Sequence, residues 1–342
     1  MNAFEWTQAS TVDEALASQS EDSVFKAGGV DLMDMLKERL IEPPRIVNLR
    51  TVHELDFVED DAGGGLRVGP LVTLARVAAH PKIKAKWPIL ADAVSRAATP
   101  QIRNMATLGG NLLQRPRCWY FRSEQFPCRR KGGEVCYAQE GENQYHAIFN
   151  NQLCAIVHPS AAATPLVALG GSVVLKSSKG EREVPAEKFF VLPNQDLHNE
   201  NTIKPGEILT AIKLPAPAGG SQSAYVRQGE KESFDWPIAE VAVVIDRDGD
   251  VCRRASIVLG AAAAAPHRAV NAEELLTGKR IEEALAADAA KAALAGAHPM
   301  TQNGYKLPLF QALIRRTILA AVGIDAVGGD AVGSAADFGG AR

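Results

Sequence analysis

Residues 26–37, KAGGVDLMDMLK, set the fold of the first part of the chain. The segment SVFK, ending at Lys26, is typical of a short strand, and VDLMDMLK has the apolar periodicity of a helix. Between them, paired glycines leave backbone N–H groups open at the positive end of the helix. The stretch predicts a phosphate or pyrophosphate site or a plain strand-to-helix turn, because it lacks both GxGxxG and GxxxxGK[ST].

A second glycine loop, ATLGGNLLQ, occupies residues 106–114, with Arg103 and Asn104 just upstream. Paired glycines suit a backbone that must come close to a flat or charged ligand, although a tight turn alone would also use them. Two such loops in one chain favour a single extended ligand that spans both.

Composition narrows the range of functions. The chain has 342 residues, of which 46% are hydrophobic and 23% charged, with a net charge of −3. This length is sufficient for two or three domains. The charge gives no electrostatic case for nucleic acid, and no stretch is long and apolar enough to predict membrane insertion. Because the N-terminus lacks a secretory signal pattern, we expect synthesis in the cytoplasm.

Three regions and a tail follow from the pattern of elements. Residues 1–60 read helix, strand, glycine loop, helix and strand, with Ser10 or Thr11 capping the first helix. Residues 61–220 contain helices and the hairpin around SSKGE, and residues 221–325 contain the hairpin around DRDGD followed by helices. Residues 326–342 are rich in Gly, Ala and Ser and predict a flexible tail. The mixture favours an α+β fold.

Four of the five cysteines lie in one part of the chain: Cys118, Cys128, Cys136 and Cys154. Four thiolates can bind an iron–sulfur cluster or zinc, but the spacing has neither the CxxC pairs of zinc modules nor the CxxCxxC run of ferredoxins. Free or redox-active thiols therefore also stay open. Neighbouring basic side chains are candidates for offsetting thiolate charge, and neighbouring aromatic rings for excluding water: Arg115, Arg117, Arg122, Arg129, Arg130, Lys131, Trp119, Tyr120, Phe121 and Phe126. Cys252 is predicted to be a core residue.

Two further stretches hold candidate polar residues. His158 is a candidate base or ligand, although a His before Pro is more often a turn residue, and Ser160 is a candidate N-cap for a helix near Ala161. Arg227, Lys231 and Glu232 either reach a ligand at a domain junction or belong to a charged loop. No hydrolase motif accompanies them.

In order along the chain, AGGVDL (27–32), RNMATLGGN (103–111), HPS (158–160) and YVRQGEKESFDWP (225–237) resemble the FAD-binding subunits of the molybdenum hydroxylases. That family includes xanthine dehydrogenase, carbon monoxide dehydrogenase and bacterial aldehyde oxidoreductases. The resemblance covers residues 1–325. It implies a two-subdomain FAD-binding fold of the vanillyl-alcohol oxidase type, followed by a small C-terminal α/β domain.

The cysteine segment resembles a subset of this family in which the flavin subunit has an extra [4Fe–4S] cluster, and is most similar to the periplasmic aldehyde oxidoreductase type. The resemblance places the cluster insertion at 115–155, with the four cysteines as ligands. It also implies a set of FAD-binding residues: Lys26, Ala27, Gly28, Gly29, Val30, Asp31, Leu32, Met33, Asp34, Thr107, Gly109, Gly110, Asn111, Ser160 and Lys231. Ala161 stands where the family motif HPSD has Asp.

The function implied by the resemblance is electron transfer through FAD to an external acceptor, with no catalytic acid or base in this chain. The expected partners form a heterotrimer with it: a large subunit with the molybdenum cofactor and a small subunit with two [2Fe–2S] clusters. Both the cytoplasm and the periplasm stay open as locations, since a folded complex can be exported on a partner's twin-arginine signal. The alternatives are a stand-alone flavin reductase of the same fold and a zinc-stabilised assembly protein.

Overall fold

The computed structural model describes residues 2–20, 22–231 and 233–324. The predicted tail at 326–342 and Glu232 lie outside the described residues. Among the described residues, no helix has the length and apolar character needed to cross a membrane.

The first unit is a parallel three-stranded sheet in the order β1-β3-β2. The carboxyl ends of its strands meet at one edge, where the first glycine loop follows β2. The capping prediction is confirmed, since Thr11 Oγ1 accepts from Glu14 N at 3.1 Å and Ser10 N donates to Glu14 Oε2 at 2.8 Å. The elements are β1 (Glu5–Gln8), α1 (Val12–Ala17), β2 (Ser23–Lys26), α2 (Val30–Lys37) and β3 (Arg45–Asn48).

The second unit is a five-stranded antiparallel sheet in the order β4-β5-β8-β6-β7, covered by helices. The hairpin predicted around SSKGE is present, with Ser177 paired to Gly180. The elements are β4 (Val58–Asp60), β5 (Leu66–Val68), α3 (Leu74–Ala79), α4 (Pro81–Lys86), α5 (Pro88–Ser95), α6 (Pro100–Met105), α7 (Leu108–Leu112), α8 (Trp119–Arg122), α9 (Ala163–Ala168), β6 (Ser172–Ser177), β7 (Gly180–Pro185), α10 (Ala186–Phe189) and β8 (Ile208–Leu214).

The third unit is a four-stranded antiparallel sheet in the order β12-β11-β10-β9, packed on three helices. The β10–β11 hairpin matches the prediction. The elements are β9 (Ser221–Gln228), β10 (Ala239–Asp248), β11 (Val251–Gly260), β12 (His267–Arg268), α11 (Val270–Leu276), α12 (Glu283–Ala292) and α13 (Lys306–Ala321).

Three details differ from the sequence interpretation. The strand β4, ending at Asp60, pairs with β5 in the second sheet, so the boundary predicted at residue 60 leaves this strand in the first region, apart from its partner. The apolar periodicity also predicts Leu40 on the same helical face as Leu36, but helix α2 ends at Lys37 and Leu40 lies beyond it. The segment 221–228 is strand β9, although a charged loop was one of the two alternatives for Arg227, because its backbone pairs antiparallel with β10 over its whole length.

Glu240 on β10 lies where the third sheet meets α9 of the second unit. Its carboxyl group is buried and accepts a hydrogen bond from the Tyr225 hydroxyl at 2.7 Å. A Cβ placed on Gly260 would lie 2.4 Å from Thr164 Oγ1 and 3.0 Å from the Glu240 carboxyl carbon, so the junction is tightly packed. Burial raises the pKa of Glu240 to about 7.

This burial predicts a pH-dependent stability. Because the folded-state pKa of Glu240 exceeds its ordinary value of 4.5, the folded state binds the proton more tightly than the unfolded state. The stabilising contribution is complete below pH 4.5 and is lost as the pH rises through about 7. Glu240→Gln should reduce the loss of stability between about pH 5 and about pH 8, which urea midpoints at the two pH values measure. Glu274→Gln, at an exposed position, is the control. A pH dependence of the urea midpoint that E240Q leaves unchanged would contradict the raised pKa of Glu240.

Candidate functional site

The two glycine loops are in direct backbone contact. A Cβ placed on Gly28 would lie 2.1 Å from the carbonyl oxygen of Met105, the last residue of α6. No side chain fits there, so glycine is required for the end of β2 to approach the start of the second loop. The structure thus brings together the two loops for which a single extended ligand was predicted.

The first loop offers positive charge and open N–H groups. Gly29 has a left-handed backbone, with φ of 82°, and precedes α2 as its N-cap. Lys26 lies beside it, and burial together with the neighbouring Arg50 lowers the pKa of Lys26 below its ordinary value. Among the described residues, neither cation has a carboxylate within 4.0 Å. Two uncompensated cations at a helix N-terminus make an anion site.

Arg50 was missed by the sequence interpretation. It follows β3, and the pairing of Lys26 with Asn48 places the end of this strand beside the end of β2. Its guanidinium also lies 3.8 Å from the sulfur of Met105, at the meeting point of the loops. The available signal was a basic residue directly after a buried parallel strand.

In the second loop the two glycines have different surroundings. Thr107 caps α7, since its Oγ1 accepts from Gly110 N at 3.1 Å. A Cβ on Gly109 would lie 2.6 Å from the Pro70 Cβ, so Gly109 is needed for packing. Gly110 is exposed and faces outward. Only Gly110 therefore offers an open backbone to a ligand.

Asn111 connects the second loop to the HPS turn. Its Oδ1 accepts from Ser160 Oγ at 2.8 Å and from Ala162 N at 3.0 Å. Ser160 Oγ in turn accepts from Ala163 N at 3.1 Å, but Ser160 is not the N-cap as predicted, because the helix begins at Ala163 and its N-cap is Ala162. Thr107, Gly110, Asn111 and Ser160 thus form one connected wall.

His158 is a buried structural residue. Burial lowers the pKa of its imidazole to about 3, and the ring packs edge-on against Phe190 with centroids 4.6 Å apart. Its Nδ1 accepts from Ser160 N at 3.3 Å. The side chain thus orients the turn, and the turn-residue alternative fits it better than a base that titrates near neutral pH.

Asp31 and Asp34 of the predicted FAD set contact the cysteine insertion. Asp31 Oδ1 lies 2.7 Å from both Arg117 and Arg122, and Asp34 lies 3.0 Å from Arg122. The remaining members of the set on α2 include the exposed Val30, and Leu32 and Met33 are partly buried. The carboxylates of α2 therefore bind arginines of the insertion.

Lys231 lies exposed in the loop between β9 and β10. The same loop reaches the site through Trp236, whose ring lies 4.6 Å from the Arg117 guanidinium carbon. Arg227 donates to backbone carbonyls of Arg96 and Asp235, so it serves to hold this loop. No contact of Lys231 with either glycine loop is found in the described part of the chain.

All four cysteines of the insertion line one cavity, and none forms a disulfide. Backbone N–H groups of Tyr120 and Phe121 point at the Cys118 sulfur. Those of Ala138 and Ala155 point at Cys136, and that of Ile156 points at Cys154. Hydrogen bonds from N–H groups to sulfur are typical of iron–sulfur sites. Cys252 is buried separately on β11.

The four thiols do not form a ready site for one metal ion. Within the described residues, no three His, Cys, Asp or Glu side chains converge as ligands of a single metal ion. The thiols of Cys136 and Cys154 are hydrogen-bonded to each other, which lowers the pKa of Cys136. The four thiols that line the cavity could serve as ligands of either zinc or a four-iron cluster.

Most of the basic residues of the insertion are paired with acidic groups, and among them the charge of Arg130 favours the thiolate form of Cys154, as predicted. Arg115, Arg117 and Arg122 pair with carboxylates of neighbouring segments instead of facing the thiols. Arg130 is buried and pairs with the buried Glu200 at 2.7 Å. Of the arginines that line the cavity, Arg129 has no carboxylate within ion-pair distance in the described residues.

His146 was not singled out from sequence, yet it lines the cavity. Its Nε2 lies 3.3 Å from the Cys118 sulfur, and burial lowers the pKa of the ring to about 4. Its backbone oxygen accepts from Lys306 Nζ at 3.1 Å and from Asn303 Nδ2 at 3.1 Å. The third unit therefore holds this wall of the cavity in place.

Comparison with known proteins identifies the family. The FAD binding domain of molybdopterin dehydrogenases matches residues 2–217, and the CO dehydrogenase flavoprotein C-terminal domain matches residues 224–321. The chain belongs to the FAD-binding subunits of the molybdenum hydroxylases. The resemblance found in the glycine loops is thereby confirmed, together with the fold it implied.

Curated and solved relatives agree with this flavin-subunit assignment. The aldehyde oxidoreductase FAD-binding subunit PaoB of Escherichia coli (strain K12) is 32% identical over 90% of this chain and 95% of the relative. The carbon monoxide dehydrogenase medium chain of Hydrogenophaga pseudoflava is 26% identical over 93% of this chain and 96% of that protein. The crystal structure of quinoline 2-oxidoreductase from Pseudomonas putida 86 aligns with a TM-score of 0.74 at 26% identity, covering 94% and 98% of the two chains.

The contact between the glycine loops of this flavin subunit predicts the effect of a single methyl group. Gly28→Ala should force the loops apart and lower FAD retention by about tenfold or more, with a loss of about 2 kcal/mol in stability. Gly219→Ala is the matched control, because no atom lies within 4 Å of a Cβ there. The measurements are flavin per purified chain and the urea midpoint. Flavin binding by G28A equal to that of G219A would contradict the role of this contact.

Proposed function

We propose that this chain is the electron-transfer subunit of a heterotrimeric molybdenum-dependent aldehyde oxidoreductase, holding FAD at the glycine loops and a [4Fe–4S] cluster at the four cysteines. The observation that carries the proposal is the direct contact of the two glycine loops, together with a four-thiol cavity whose insertion is joined to α2 by the ion pair between Arg122 and Asp31.

For FAD, the chain contributes positioning and charge. Lys26, Arg50 and the N–H groups at the start of α2 would hold the diphosphate, because they are the uncompensated positive groups at the loop. Exposed Gly110 would let the ligand approach the backbone of the second loop. When bound, FAD supplies the capacity to exchange electrons singly or in pairs.

For the cluster, Cys118, Cys128, Cys136 and Cys154 would be the ligands. Burial raises the pKa of Cys118 to about 11, and the N–H groups aimed at three of these sulfurs oppose such a rise, so the bound metal would have to supply the rest of the stabilisation of the thiolates. The aromatic lining of the cavity excludes water. Electron relay between the flavin and an acceptor is the proposed role of the cluster, in addition to holding the insertion.

The partners and substrate are proposed from the relatives. Several of them are named as medium chains or FAD subunits, and the relative at 32% identity is the subunit of an aldehyde oxidoreductase. We therefore propose a large molybdenum-cofactor subunit that oxidises an aldehyde and a small subunit with two [2Fe–2S] clusters. Synthesis would be cytoplasmic, with export to the periplasm on a partner's twin-arginine signal where the complex is periplasmic.

Replacing a single cysteine tests the cluster. Cys128→Ser in the full complex should remove most of the iron and acid-labile sulfide assigned to this chain, because a thiolate ligand is lost. The buried Cys252→Ser is the matched control and should leave the iron content unchanged. Iron content that does not change in C128S would refute ligation, and stoichiometric zinc in the wild-type chain would favour the assembly-protein alternative.

Charge removal at the first loop tests the diphosphate site. Arg50→Met should weaken FAD binding by about 10- to 150-fold, since a charge-assisted hydrogen bond contributes about 1.5–3 kcal/mol. Arg253→Met removes the same charge from an exposed position on β11 and should change the dissociation constant little. Titration of apoprotein with FAD at low and high salt measures both. If the two substitutions weaken FAD binding equally, Arg50 contributes only to the net charge and does not bind the diphosphate directly.

A further inference from the structure

We propose that the cysteine insertion controls FAD retention through Asp31 of α2. The negative charge of Asp31 opposes FAD binding unless Arg117 and Arg122 of the insertion neutralise it. The four side chains Asp31, Asp34, Arg117 and Arg122 are called the Asp31 latch below. The inference rests on the proposed function, because it takes FAD at the glycine loops and a cluster at the cysteines.

The latch is centred on a single carboxylate. One oxygen of Asp31 lies 2.7 Å from Arg117 and 2.7 Å from Arg122, and the other accepts from the backbone N–H of Arg115 at 2.8 Å. Its side chain is 15% exposed, against 20% for Arg117 and 12% for Arg122, so solvent screens these pairs only in part. Asp34, one turn later, is 48% exposed and makes the longer contacts of the set.

Arg122 connects the latch to the cavity. It is the last residue of α8, and its backbone N–H donates to the Cys118 carbonyl at 2.9 Å. The N–H groups of the same short helix point at the Cys118 sulfur. Its guanidinium also donates to the carbonyls of Pro116 at 2.7 Å and Arg115 at 2.9 Å. A displacement of Cys118 therefore displaces Arg122.

Asp31 connects the latch to the anion site. It is the second residue of α2, two positions after Gly29, and thus stands in the turn whose N–H groups face the proposed diphosphate. An unpaired carboxylate there would repel a diphosphate. The two guanidinium groups cancel that repulsion, so FAD binding depends on residues that the loop sequence alone does not contain.

The thermodynamic consequence is reciprocal. If an ordered cysteine site holds the arginines on Asp31 and so favours FAD, bound FAD must favour the ordered cysteine site by the same factor. Loss of the cluster would loosen the insertion and uncover the carboxylate, and the flavin would be released more readily.

The decisive experiment compares three variants of the full complex by FAD affinity. Arg122→Met should weaken FAD binding by about 5- to 50-fold, because it leaves Asp31 less neutralised. Asp31→Asn alone should bind FAD at least as tightly as the wild type does, because it removes the carboxylate charge and keeps both arginines, and R122M/D31N should recover most of the loss. Arg182→Met, which breaks the pair with Glu207 in the second sheet, is the control and should have no effect on FAD.

A purely structural anchor predicts a different pattern, since the double variant would then bind FAD as weakly as R122M or more weakly. That result, or an R122M variant with wild-type affinity, would overturn the proposal. Urea midpoints of the wild type, the three variants and the R182M control distinguish loss of folding from weakened FAD binding.

The coupling itself is tested in a cluster-deficient background. Cys128→Ser should weaken FAD binding, and adding D31N should restore part of it; an affinity that C128S leaves unchanged would overturn the coupling. The proposed function fails separately, because wild-type protein without iron would reject the cluster, and wild-type protein that does not bind FAD would reject the flavin site.

Discussion

The approach of Gly28 to the carbonyl of Met105 is the contact on which the rest of the site depends. It joins the carboxyl edge of the parallel sheet to the end of α6, and so places the start of α2 close to the first residues of the second glycine loop. Arg50 reaches the same point from β3. Because each unit contributes backbone rather than a mobile side chain, the separation of the two loops is determined by the folds of both units.

Much of this arrangement could be predicted from sequence, because it depends on local patterns. A strand, paired glycines and a helix follow from periodicity and from the conformational range of glycine, as in residues 26–37. The capped helix α1 and the β10–β11 hairpin likewise follow from short-range signals. The order of the motifs indicated the family, and the family indicated the fold.

The features that could not be predicted depend on contacts distant in sequence. Strand β9 has no apolar run that would predict a strand, and its structure depends on pairing with β10. Arg50 and His146 have no motif of their own, and only the packing places them at the anion site and the cavity. The basic residues of the insertion were assigned to the thiols because charge is visible in a sequence, whereas the carboxylates that attract them lie on other elements.

The pairing of those arginines elsewhere has a consequence for the cysteine cavity. Arg130 is paired to the buried Glu200 but its charge still favours the thiolate form of Cys154, and Arg129 and backbone N–H groups are further positive groups at the cavity wall. Lys306 is fully buried behind His146, and its ammonium group donates hydrogen bonds only to backbone carbonyls. Burial lowers the pKa of Lys306 to about 7. Because desolvation penalises an isolated buried ammonium, an anionic centre in the cavity would offset part of that cost. Burial and the charge of Lys306 together lower the pKa of His146, so the third unit acts electrostatically on the cavity wall as well as holding it in place. Within the described residues Lys306 has no carboxylate within ion-pair distance, so the negative charge of the proposed cluster would reduce the cost of burying this ammonium.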